Sequence, residues 1–302
     1  MSANILIDAS WDNALRLAQT SLTPPSDLLR VVRSAWTGSP SAREFAYGLH
    51  RASIPPRAII EAGRVLDPNC DSVEAAVNAL GYKGAATVAA ICFTSTAITR
   101  KCSSERVSSY VLQQMIDQVE IGYHFGVSAD LIGPDAGTLL GFGQSLGSAL
   151  MVASGVSALS DAREILEGSR DVSDCLSQFG CEPYQVASLA LQRLGFGPSL
   201  AYAAVMALGN FTREVGSSDE AVKGWWAASE WISALKNGER APKRKSSARQ
   251  FPDLLNDTPK DGEPPLHLQA LYSSIDSVRL KHSSWVWHLD STEFSQSPSA
   301  AV

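Results

Sequence analysis

The 302-residue sequence is poor in histidine, has no CxxC cysteine pair and carries no excess of positive charge. Of its five histidines only His50 and His124 precede residue 240, which excludes a histidine-rich metal site in the larger part of the chain. The five cysteines are scattered, so neither a zinc ribbon nor a disulfide framework is predicted. This cysteine usage indicates a reducing compartment, and we expect a cytoplasmic protein.

The net charge of −6 at pH 7 disfavours nucleic acid and anionic lipid as partners, because both need a basic surface. The first residues lack the basic patch and apolar run of a secretion signal. Two weakly polar stretches, 84–98 and 132–155, do not predict a membrane span of about 20 residues, because the first is too short and the second is interrupted by polar residues and glycines. We expect both to be buried helices.

Composition divides the chain near residue 237. Residues 237–265 are rich in Pro, Lys, Arg, Asp and Ser and have few large apolar side chains, so they are expected to bury too little surface to offset the entropy of ordering. We therefore predict a flexible linker over 239–265, followed by a C-terminal tail over 266–302. The tail contains Trp285 and Trp287, which we interpret either as a docking segment or as a linear motif that contacts a partner.

Before residue 237 the apolar residues recur with a helical period almost everywhere, and no alternating strand pattern occurs. Asp71 and Glu74 predict a capping box that opens one helix, and Gly81 predicts its end. Pro134 is typical of the first turn of another helix. The sequence therefore predicts an all-α protein with about ten or more helices.

Four segments, in order, resemble those of the HDOD domain, an all-helical relative of the HD phosphohydrolases. They are SVEAAVNALG (72–81), PDAGTLLGFGQSLG (134–147), GCEPYQVASLALQRLG (180–195) and the closing helix at 222–234. The family segments read SLEQAIVRLG, PEEAFLAGLLHDIG, GxDHAEVGAxLLxxWG and VHLADxLA. The resemblance implies an HDOD-like helical domain over residues 15–238.

The resemblance also shows where this chain departs from the family. In HD hydrolases a His-Asp pair, further histidines and a late aspartate hold metal ions that activate water against a phosphoester. The corresponding positions here are Gln144 and Ser145 for the pair, Pro183 for a later histidine, and Trp226 and Ser229 in the last helix. Amide, hydroxyl and indole groups do not replace imidazole and carboxylate ligands, so these degenerate positions predict no metal, no cofactor and no catalysis.

Ser145 also lies in a bare GxSxG pattern within GFGQSLG (141–147), which leaves a serine hydrolase as an alternative. No strand-turn-helix context or assignable triad accompanies it, and small residues are also typical of close helix packing. His124 and His50 are expected to be packed or helix-terminal histidines. Trp225 and Trp226 are expected in the core, although exposed tryptophans would predict a partner surface.

The basic run at 242–249 is flanked by acidic residues, so we interpret it as a solvated segment and nucleic-acid binding as disfavoured. The resemblance implies a bacterial signal-transduction protein that acts through contacts with other signalling proteins, and the degenerate ligand positions predict that it is non-catalytic. A divergent metal-dependent phosphohydrolase and a small-nucleotide-binding module are the alternatives. The sequence leaves the oligomeric state open.

Overall fold

The computed structural model describes residues 9–38, 40–168, 170, 172–205, 208, 220–254 and 266–289, and across these ranges it contains helices and no strand. The all-α prediction is confirmed. The helices are α1 (Ala9–Ser21), α2 (Ser26–Thr37), α3 (Ala42–Arg51), α4 (Pro56–Leu66), α5 (Val73–Lys101), α6 (Glu105–Ser128), α7 (Gly133–Gly155), α8 (Leu159–Leu166), α9 (Val172–Phe179), α10 (Pro183–Arg193), α11 (Pro198–Val205), α12 (Glu220–Lys236), α13 (Lys245–Arg249) and α14 (Leu266–Lys281), with a 3₁₀ turn at Pro252–Leu254.

The helix ends follow local capping rules, with one correction. The cap of α5 is Ser72, whose hydroxyl accepts a hydrogen bond from the Ala75 amide at 3.2 Å, so the predicted role of Asp71 is wrong by one residue. Gly81 has φ +69°, a conformation that suits glycine, and it kinks α5 where the sequence predicted an end. Pro134 lies in the first turn of α7 as expected.

The central pair of helices, α6 and α7, is held together by a seam of glycines. A Cβ atom added to Gly122 would lie 2.2 Å from the carbonyl oxygen of Gly137, and one added to Gly141 would lie 2.2 Å from that of Gln118. Glycine is therefore required at these positions for the two backbones to approach so closely. Residues 118, 122 and 126 of α6 meet residues 141, 137 and 133 of α7, so the two helices are antiparallel. Gln118 of α6 and Gln144 of α7 lie next to each other at one end of this seam.

The core surrounds α7, which packs against α5, α6 and α10. Both α5 and α7 are long and apolar enough to span a membrane by length and composition. In the most apolar window of α7, however, 89% is buried inside the protein, and 61% of the corresponding window of α5 is buried. Most of each window is therefore covered by the rest of the protein, and the prediction of buried helices is confirmed.

Residues 239–254 do not form the flexible linker that composition predicted. The Trp231 indole donates a hydrogen bond to the carbonyl oxygen of Ser247 at 3.1 Å. Phe251 is buried and packs edge-to-face on Phe125, with ring centroids 5.3 Å apart. A few well-placed apolar side chains and one buried hydrogen bond are enough to order a segment that is polar on average. The predicted linker residues 255–265 lie outside the described residues.

The C-terminal tail is part of the domain as far as residue 289. Helix α14 packs along α6 and buries four apolar side chains, Leu268, Leu271, Ile275 and Val278. The carboxylate of Asp117 on α6 then holds the turn after α14, because it accepts hydrogen bonds from the Ser283 amide at 2.6 Å and from Nδ1 of His282 at 2.7 Å. The predicted boundary near residue 238 therefore does not separate the tail from the core. Residues 290–302 lie outside the described residues.

Candidate functional site

The side chain of Gln144 lies at the centre of a hydrogen-bonded network between α6, α7 and α12. Its Oε1 accepts hydrogen bonds from Nε2 of Gln118 at 2.8 Å and from the Ser233 hydroxyl at 3.2 Å. Its Nε2 donates to the carbonyl oxygen of Ser229 at 2.7 Å. The glycine seam brings Gln118 and Gln144 within reach, so the close approach of α6 and α7 builds this network.

Ser145 is the other residue at the His-Asp pair of the resemblance, and it is buried in the middle of α7. Its hydroxyl donates back to the carbonyl oxygens of Phe142 and Gly141, at 3.0 and 3.3 Å. A nucleophile elbow places its serine on a sharp turn between a strand and a helix. A helical, back-bonded hydroxyl does not have that geometry, so the serine-hydrolase alternative gains no support.

The structure brings Ser229 to Gln144 but places Pro183 and Trp226 in other contacts. Pro183 is in the first turn of α10, and its carbonyl oxygen lies so close to Gly147 that a Cβ there would be 1.9 Å away. Trp226 is buried beneath Arg244, whose guanidinium carbon lies 4.7 Å from the ring centroid. As predicted, Trp226 is a core residue, whereas Trp225 is only half-buried.

The donors at this centre do not suit the metal ions of HD hydrolases. They are the carboxamides of Gln118 and Gln144 and the hydroxyls of Ser229 and Ser233. The Gln144 carboxamide already hydrogen-bonds Gln118 and Ser233. Two oxygen atoms, Oε1 of Gln118 and Oγ of Ser229, are buried without a partner in the described part of the chain. Neutral oxygens of this kind are weak ligands for a water-activating metal. Among the described residues there is also no group of three His, Cys, Asp or Glu side chains that could hold one.

A polar cavity of about 260 Å³ adjoins the network, because Gln118 lines it as well. Its titratable lining residues come from four helical regions and are Asp117, Glu167, Lys236, Arg279 and His282. Lys236 is partly buried and donates to the carbonyl oxygen of Leu166 at 3.3 Å, and burial lowers the pKa of its ammonium group. Gln118 and Lys236 were not predicted from the sequence, although each is a polar residue in an otherwise apolar helical stripe.

Comparisons with known proteins agree with this helical arrangement. A proposed phosphohydrolase from Shewanella amazonensis SB2B superposes with a TM-score of 0.59 and 12% identity, over 93% of this chain and 98% of that one. An HDOD domain protein of unknown function from Geobacter sulfurreducens superposes with a TM-score of 0.56 and 13% identity, over the same shares. The chain has an HDOD-like fold. No family profile and no curated protein matches its sequence.

In this structure the C-terminal segment folds back onto the HDOD-like domain, and both of its tryptophans lie against it. Trp287 is only 3% exposed, and Trp285 packs against Tyr123 with ring centroids 5.4 Å apart. The neighbouring His288 is buried, and loss of hydration lowers the pKa of its imidazole to about 4. It is therefore neutral at pH 7. In this conformation the segment is a docked element of the fold.

The two histidines singled out in the sequence have structural surroundings in the HDOD-like domain. His124 lies on α6, where its Nε2 is 3.4 Å from Oε1 of Glu120, four residues earlier on the same helix. His50 is exposed in the last turn of α3. These are the packed and helix-terminal positions that the sequence analysis expected.

Proposed function

We propose that the protein is a non-catalytic, cytoplasmic regulatory module that acts through contacts with other proteins. The observation that carries the proposal is the Gln144 network. Hydrogen bonds from α6 and α12 occupy the amide of Gln144, the residue that the resemblance aligns with a metal-binding histidine of the HD hydrolases. The similar structures are described as an HDOD domain protein and a phosphohydrolase. The carboxamides and hydroxyls around Gln144 favour a non-catalytic HDOD domain over a phosphohydrolase.

The polar cavity beside the network gives little support to the nucleotide-binding alternative. Its volume of about 260 Å³ is below the range of about 300 to 1,000 Å³ that is typical of sites for drug-sized ligands. Its wall also combines the cationic Lys236 and Arg279 with the acidic Asp117 and Glu167. A polyanion would meet both signs of charge there.

The surface that we assign to partner binding is the outer side of the docked C-terminal segment. Trp285 and Trp287 fix the segment to the domain, while Val286 between them is 61% exposed and Leu289 is 42% exposed. Large apolar side chains held on a rigid backbone are the kind of contact that a protein partner buries. The tryptophans then position the contact surface and do not themselves supply it.

Substitution of Val286 tests this assignment. We expect the full-length protein to retain a specific set of partner proteins from an extract of its native cells, and Val286→Asp to reduce that retention about tenfold, because a charge is then desolvated in the interface. Tyr47→Asp is the matched control, since Tyr47 is similarly exposed but lies on α3. Equal retention by both variants, or no retained protein at all, would count against the proposal.

A further inference from the structure

A second cavity lies beneath the docked C-terminal segment, away from the Gln144 network. Its volume is about 110 Å³. Its wall combines aromatic rings, one carboxylate and a set of aliphatic side chains. The aromatic residues are Tyr123, Trp285 and Trp287, and the carboxylate is that of Asp135.

The three aromatic rings stand at different angles and form a cage-like wall. Trp285 is inclined by 67° to Tyr123 at a centroid distance of 5.4 Å, and by 38° to Trp287 at 6.3 Å. At these distances Trp285 contacts both of the other rings, and all three aromatic residues line the cavity. Aromatic cages of this kind recognise quaternary ammonium groups, because a methylated cation is attracted to the ring faces and is weakly hydrated.

Asp135 supplies the negative charge that such a cation needs. It lies in the first turn of α7 and is partly buried in the cavity wall. Its Oδ1 sits so close to Gly84 that a Cβ at that glycine would be 3.0 Å away, so residue 84 leaves room for the carboxylate. Burial raises the pKa of Asp135, and the nearby charge of Lys83 lowers it by a smaller amount. The carboxylate is therefore poorly hydrated, and Lys83 does not fully offset that loss of hydration.

Size and access limit what the cavity accepts. The volume of about 110 Å³ is smaller than the roughly 150 Å³ of a cavity that binds benzene, so the cavity excludes a nucleotide and holds at most part of a small head group. Val65 and Leu66 line the cavity and keep 42% and 39% of their surface exposed, so they mark its mouth. A longer molecule could leave its head group inside while the rest remains outside.

We propose that the cavity formed by Tyr123, Trp285, Trp287 and Asp135 binds a trimethylammonium group. The inference concerns a different cavity from the Gln144 centre and holds whether or not that centre is catalytic, although it shares Trp285 and Trp287 with the segment that carries the proposed partner surface. The shared ligand chemistry has two sources, a free small molecule such as choline and a trimethylated lysine on a protein.

Calorimetric titration of the full-length protein with three probes tests the proposal. The probes are choline, an N-acetyl trimethyllysine amide, and 3,3-dimethylbutan-1-ol, which is the neutral isostere of choline. We expect saturable binding of at least one cation, about tenfold tighter than binding of the isostere, since the charge adds the cation–π and carboxylate attraction. The source is indicated by whichever cation binds more tightly.

Two variants and a control link the binding to this cavity. Asp135→Asn keeps the shape of the side chain and removes the charge, and Trp285→Leu removes one wall; each is expected to weaken cation binding about tenfold. Trp11→Leu is the control, because Trp11 packs on Tyr184 and does not line the cavity. The proposal fails if the isostere binds as tightly as the cations, if no probe binds, or if Asp135→Asn, with an unchanged thermal transition, binds choline like the wild type.

Discussion

Replacement of Gly137 by alanine is expected to lower the free energy of unfolding by at least about 3 kcal/mol, or to prevent folding altogether. The added methyl would lie 2.2 Å from the carbonyl oxygen of Gly122 and 2.9 Å from the α-carbon of Gly126, so it contacts backbone atoms that cannot rotate away. Relief requires that α6 and α7 separate, and α7 is the most buried long helix of the core. Urea unfolding followed by circular dichroism measures the change.

Gly224 supplies the control for this prediction. It also lies inside a helix, α12, but a Cβ there would meet only Leu131, at an ordinary distance of 3.8 Å. Gly224→Ala should therefore leave stability unchanged or raise it by up to about 1 kcal/mol, because alanine is the better helix former. If Gly137→Ala behaves like Gly224→Ala, the close crossing of α6 and α7 described here is wrong.

The second large effect is expected from Gln144→Leu. Leucine has a similar volume but cannot hydrogen-bond, so the variant leaves Nε2 of Gln118 and the Ser233 hydroxyl without their shared acceptor and the Ser229 carbonyl without its side-chain donor. A buried polar group that loses its partner costs about 1 to 3 kcal/mol. We expect a loss of about 2 to 3 kcal/mol in the free energy of unfolding, measured in urea at neutral pH.

A double-mutant cycle tests whether the loss of stability comes from the interaction between Gln118 and Gln144. In Gln118→Leu with Gln144→Leu both carboxamides are absent, so the penalty of leaving one of them unpaired disappears. The double variant should be less destabilised than the sum of the two single variants. Strict additivity would mean that Gln118 and Gln144 do not interact as described.

Much of the fold followed from local sequence patterns. The helical period and Pro134 in the first turn of α7 were predictable, because each depends on a few neighbouring residues. Gly81 was predicted to end a helix and instead marks a kink within α5. Residues 239–254 were not predictable, because their order depends on distant partners. Phe251 packs on Phe125, and Ser247 accepts a hydrogen bond from Trp231. Average composition contains no information on such pairings.

Only part of the candidate site could be expected from the sequence, because some of its residues come from distant parts of the chain. The resemblance aligned Gln144 and Ser229 with ligand positions of the family, and in the structure the Gln144 amide donates to the backbone carbonyl of Ser229. The segments gave no indication of Gln118, which reaches Gln144 only because the glycine seam lies between their helices. The cage residue Tyr123 was likewise unpredictable, since Trp285 comes from the far end of the chain. Sites assembled across such sequence separations require the tertiary structure.

Metal binding by the purified full-length protein is the most direct test of the central claim, that amide and hydroxyl groups have replaced the catalytic ligands. The protein is equilibrated with manganese, magnesium or ferrous ions, and bound metal is measured together with hydrolysis of a phosphodiester such as bis(p-nitrophenyl) phosphate. The account predicts no stoichiometric metal and no hydrolysis above the protein-free rate, for the wild type and for Ser145→Ala alike. One or two ions bound per chain, with hydrolysis that Gln144→Leu abolishes, would contradict it.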